Sequence, residues 1–143
     1  MIRMSMIAAA FIVGISVAGA QSTDMITARK DVLKGFGAAA REPGQMLRGE
    51  APFDLAKAQN LMRVLSAGSK TLPNMFPDNS KEGDTKALPA VWEKKAEFNA
   101  IFAKLGADAD AALTAIKDEA SFKTELPKVL GNCGTCHNTY RAK

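Results

Sequence analysis

One histidine, one tryptophan, one tyrosine and two cysteines are all that the 143 residues hold of those types, and the shortage removes several functions at once. A zinc centre normally takes four nitrogen or sulfur ligands, and this chain has three in total. Aromatic residues make up only 6% of it, so basic residues are not interleaved with rings on which bases could stack. Arg29-Lys30 and Lys94-Lys95 are the only adjacent basic pairs beyond the first twenty residues, and a net charge of +4 is too mild for a nucleic-acid footprint. The remaining charges read as solvated helix faces. Beyond those first residues there is also no β-branched alternation, which argues against strands and against a thioredoxin-like βαβ unit.

What is present is concentrated. Cys133-Gly134-Thr135-Cys136-His137 holds both cysteines and the sole histidine, seven residues from the end of the chain. C-x-x-C-H is the attachment pattern of haem c. Two thiols three residues apart can each add to a vinyl group of the porphyrin, and the adjoining imidazole can stand under the iron. His137 is therefore the expected metal ligand, and Cys133 and Cys136 the expected thioether anchors of one covalent haem.

The first twenty residues read as a cleavable secretory leader. Arg3 gives a positive start, Ile7 to Val17 form an apolar run relieved by Gly14 and Ser16, and Ala18-Gly19-Ala20 offers a cleavage site. The run is short of the ~20 apolar residues a membrane span needs, so no stable membrane insertion is expected. Without Arg3 the net charge of residues 21–143 drops from +4 to +3, and these residues make one domain in the periplasm.

The period after the leader is helical. Met25, Ile26, Val32, Leu33, Phe36 and Ala40 make one stripe, which Pro43-Gly44 is expected to kink or interrupt. Asp54 is the expected cap of a second helix running to about Thr71. Leu72 to Ala87 is the long connection, with Pro73, Pro77 and Gly83. Pro89 opens a third helix, with Gly106 its weak point, and Asp118 or Ser121 caps a fourth containing Pro127 and the C-x-x-C-H residues. The spacing predicts an all-α antiparallel four-helix bundle.

Several segments strengthen that reading. Tyr140-Arg141 follows the histidine, Arg29 and Leu33 stand four apart on the first helix, and Leu72-Pro73-Asn74-Met75-Phe76-Pro77 and Leu88-Pro89-Ala90-Val91-Trp92 occupy the loop and the start of the third helix. With these, residues 21–143 resemble the cytochrome c′ family of bacterial periplasmic haem bundles. The resemblance implies that Leu33 lies over the distal face of the iron, leaving it five-coordinate and open to NO or CO. It implies that Arg141, one helical turn beyond His137, sits beside the proximal imidazole, and that some relatives pair as homodimers through the first two helices. Arg29 interrupts an apolar stripe, and a haem propionate is its expected anion. Trp92 and Phe76 are expected to border the haem.

The expected activity is gas binding with electron transfer to an unidentified redox partner, not enzymatic turnover. One alternative is a low-spin electron carrier with a methionine sixth ligand. Met25, two turns (about 11 Å) before Leu33, is its best candidate, ahead of Met46, Met62 and Met75. The other is a haem enzyme, a peroxidase or NO reductase, although no histidine or arginine stands near Leu33 to polarise a bound peroxide.

Overall fold

The computed structural model describes the backbone of residues 17–143 and the side chains from residue 24 onward. Most of the expected leader lies outside the described residues. Five α-helices follow in order: α1 (Val17–Leu47), α2 (Leu55–Thr71), α3 (Ala90–Glu93), α4 (Lys95–Ala115) and α5 (Glu119–Tyr140). The fold is a four-helix bundle in which α3 and α4 together form the third helix. Helix α2 packs on α1 and α4, and α4 on α5.

Helix α1 runs through Pro43 to Leu47, so of the expected kink or interruption the interruption does not occur. The proline forfeits one main-chain bond but is itself fully buried, so its ring gains packing where an interruption would expose it. Asp54 caps α2, its side chain accepting from the Lys57 amide at 3.0 Å. Asp118 caps α5 in a reciprocal box with Ser121, each side chain bonding the other's main chain. The two candidates for that cap thus act together.

The third helix breaks at Lys94 (φ −116°, ψ 44°) rather than at Gly106. At Gly106 α4 lies tight against α2: a Cβ there would stand 2.6 Å from Ser69 Oγ. The glycine is a contact point between helices, not a weak point. The core fills the space between α2, α4 and α5, with Ala58, Leu61, Met62, Ile116, Phe122 and Leu126 entirely buried.

The connection from α2 to α3 is ordered against α1. It opens with 3-10 turns at Leu72–Met75 and Asp78–Ser80. Its last residues then pair antiparallel with the C-terminus: the Leu88 amide donates to Tyr140 O (3.0 Å) and the Ala142 amide to Lys86 O (2.8 Å). This strap brings the end of α5 back beside the loop and fixes the site.

Candidate functional site

One cavity of about 410 Å³ lies between α1, the loop, the α3–α4 unit and the end of α5. That is within the ~300–1,000 Å³ of small-molecule and cofactor pockets. Its floor is apolar, made by Phe76, Val91, Phe98 and Phe102. Leu33 faces it from α1, and Cys136, His137, Tyr140 and Arg141 from α5 and the residue after it. Leu33 is 38% exposed, unusual for a leucine on the inner stripe of a bundle helix.

Helix α5 delivers the C-x-x-C-H residues in a fixed register. Asn132, immediately before Cys133, is buried and donates to Asp108 Oδ2 on α4 (2.7 Å) and to Val129 O (3.0 Å). That bond ties α4 to α5 next to the motif. Both cysteines are free thiols and half-buried. Cys136 is on the cavity wall, and Cys133 lies one turn before it on the same helix.

Burial, with the neighbouring Cys133 second, pushes the Cys136 thiol up to about 11, and burial also raises Cys133. His137 is shifted the other way, below its ordinary value, first by burial and then by the Arg141 charge. The imidazole is held neutral, as an iron ligand must be. Among the described residues no group of three or more His, Cys, Asp or Glu is arranged to hold a metal ion.

Arg29 is 2% exposed and on the cavity wall. One terminal nitrogen donates to Met75 O (3.2 Å) and Ser80 Oγ (2.7 Å), the other to Ser80 O (3.0 Å) and Thr85 Oγ1 (2.8 Å). Its guanidinium carbon also stands 4.5 Å from the centre of the Phe76 ring. Every one of these partners is neutral, and among the described residues no carboxylate pairs with Arg29. A buried cation beside an apolar cavity, with no anion of its own, fits a ligand that brings carboxylates to the same place.

The other candidates divide. Phe76 lines the cavity as expected, whereas Trp92 does not. Its indole N–H instead donates to Phe76 O and Pro77 O, both at 3.1 Å, so it clamps the loop from outside the wall. Arg141 does reach the site, though not by continuing the helix. Helix α5 stops at Tyr140, and Arg141 is extended (φ −125°, ψ 131°), bridged to Ala87. Met25 is absent from the wall and 38% exposed, and among the described residues no methionine lines the cavity. Phe98 and Phe102 on the floor were not singled out; their four-residue spacing marks a buried face without saying what it faces.

Comparison with known proteins bears directly on this cavity. The family model described as Cytochrome C′ matches residues 24–141. The chain is 48% identical to the cytochrome c′ of Rhodopseudomonas palustris over 143 residues, covering 99% of this chain and 97% of that protein. It is 36% identical to a cytochrome c-556 of Agrobacterium fabrum over 143 residues, again covering 99% and 97%. The solved structure of the Rhodopseudomonas palustris cytochrome c′ superposes with a TM-score of 0.82 at 50% identity, over 84% of this chain and 97% of that one.

Proposed function

Because the chain belongs to the cytochrome c′ family and carries that family's single covalent haem c, we propose that it is a periplasmic haem protein whose iron has an open distal face, binds NO and CO, and passes single electrons. When bound, the haem supplies an iron that changes oxidation state by one electron and accepts a diatomic ligand. The protein's residues do the rest. Cys133 and Cys136 would hold the macrocycle through thioethers and His137 would ligate from α5. Arg29 would meet the propionates from inside the bundle, and Arg141 would keep the imidazole from taking a proton.

One observation carries the open distal face. Leu33 is the one apolar α1 side chain on the cavity wall that His137 also lines, and among the described residues no methionine lines it. A leucine has no lone pair for the iron, and its bulk screens the face with an apolar surface that a neutral diatomic gas crosses more readily than an anion. Turnover is not part of this reading: Arg29, the arginine one turn from Leu33, already spends donors on Met75, Ser80 and Thr85 rather than on a ligand at the distal face. The leader, cleaved after Ala20, would deliver the chain to the periplasm; no helix among the described residues is long and apolar enough to cross a membrane.

The resemblance to a cytochrome c-556 keeps the six-coordinate alternative concrete. Optical and EPR spectra of the purified holoprotein separate the two. The open reading expects high-spin ferrous iron, with CO binding directly and slowly past Leu33, and faster CO association in Leu33→Ala. Low-spin ferrous iron, with a ferric methionine charge-transfer band that Met25→Ala abolishes, would make the protein an electron carrier with a closed distal face.

A further inference from the structure

We propose that the opening of the cavity is the docking surface for an acidic one-electron carrier protein, formed by Lys34 of α1, Lys86 of the loop and Arg141 of the C-terminal strap. The proposal rests on the electron-transfer part of the reading above. Three elements far apart in sequence bring these cations to one opening, and all three are exposed. Lys34 meets Asp31 only at 3.5 Å with its side chain 74% exposed. Lys86 reaches only the Lys143 main-chain oxygen, at 3.5 Å. Arg141 has no side-chain partner among the described residues.

Several cations elsewhere on the surface are closely paired. Arg48 pairs with Glu50, Lys123 with Glu119 and Lys128 with Glu125, each within 2.8 Å. Even on the wall, Lys30 is matched by Asp84 at 2.6 Å. With the buried Arg29 set aside, the wall presents four cations (Lys30, Lys34, Lys86, Arg141) against one carboxylate, Asp84, a surplus of three. Residues 21–143 carry a net +3, the chain's +4 less Arg3, so with Arg29 counted on the wall the remainder of that span carries −1. The whole excess sits at the mouth of the redox site.

A positive field focused on one opening steers an oppositely charged partner and orients it. It would also set the partner at the opening of the cavity that His137 and Cys136 line. The exchange is one electron from ferrous iron to the partner's oxidised centre, with no bond made and no proton moved. A lipid surface is a poorer fit, because membrane-binding faces set apolar side chains beside the cations. The large hydrophobics exposed among the described residues are only Met25 and Leu33, and Leu33 faces into the cavity.

The test follows oxidation of the ferrous holoprotein by cupric plastocyanin, an acidic copper protein used as probe, in stopped flow. Between about 10 mM and 150 mM ionic strength the Debye length falls from ~30 Å to ~8 Å. The rate constant should fall about tenfold, at the low end of electrostatic steering. Lys34→Glu/Lys86→Glu should slow the low-salt reaction by a similar factor and flatten its salt dependence. Arg63→Glu/Lys117→Glu makes the same change in net charge outside the wall and should leave the rate near the parent's. Equal slowing by both pairs, or a salt-independent rate, would overturn the proposal. So would sedimentation with phosphatidylglycerol vesicles at 150 mM salt that Lys34→Glu/Lys86→Glu abolishes, which would assign the surface to a membrane. Leu33 and His137 are unchanged in all of these variants, and the spectra are recorded on the parent, so failure here leaves the spectroscopic reading standing. Iron that cannot be cycled by dithionite and ferricyanide would instead defeat the electron-transfer reading itself.

Discussion

Arg29 costs desolvation wherever it is placed inside the bundle, and burial lowers its pKa from the ordinary guanidinium value. Four bonds to neutral oxygens recover part of that cost and fasten the loop to α1. Truncation would leave four acceptors short of a donor, two of them on the buried Ser80. Arg29→Ala should therefore lower stability by about 3–5 kcal/mol, read from the urea midpoint of the holoprotein. If a haem carboxylate is its anion, the same change should also lower the reduction potential, because loss of a nearby positive charge favours the ferric state. Arg29→Lys separates the two roles: it keeps the charge but not the fork, so it should lose stability while largely holding the potential. A potential unmoved in Arg29→Ala would leave Arg29 as a loop fastener only.

At the scale of elements, the haem-bearing helix depends on a polar tie that its own sequence does not advertise. Asp108 accepts from Lys104 and Asn132, and those two bonds hold its carboxyl below the ordinary value. The sign follows from linkage. A carboxyl with a depressed folded-state pKa contributes stability above the unfolded value of about 3.9, and that contribution is lost as pH falls through the lower folded value. Acid denaturation should weaken the α4–α5 junction as pH falls below about 4. Asp108→Asn should remove that part of the pH dependence, worth under ~1 kcal/mol for a partly exposed group. Identical slopes for parent and variant would mean the tie is inert.

The helices themselves were legible in the sequence because the apolar stripes and the caps at Asp54 and Asp118 are local signals. So was the chemistry of Cys133, Cys136 and His137, which is written in five consecutive residues. Three things were not legible. The uninterrupted course of α1 depends on burial of the Pro43 ring against the rest of the bundle. The turn of the chain at Lys94 has no glycine or proline to mark it. The pairing of residues 86–88 with 140–142 is a contact between two short segments without alternation, and it is what brings Arg141 and Lys86 to the same opening.

Taken as a whole, the molecule has a packed half and a hollow half. Side chains of α2, the far part of α4 and the first turns of α5 close over one another completely. Around the cavity the walls are α1, a loop held by Arg29, and a strap of two main-chain bonds. A fully enclosed apolar void of about 410 Å³ would cost on the order of 10 kcal/mol at ~24 cal/mol per Å³. That is comparable to the ~5–15 kcal/mol that stabilises a typical domain. The hollow is open on one side, so the figure is an upper bound, but it is large enough to decide the outcome. A chain denied its covalent haem should loosen the hollow half in preference to holding it open. In Cys133→Ser/Cys136→Ser, hydrogen exchange should accelerate at Arg29–Leu33, throughout 72–88 and at 137–142. Protection should persist around Leu61, Ile116 and Leu126. Uniform loss of protection across both halves would show instead that the haem and the packed half fold as a single cooperative unit.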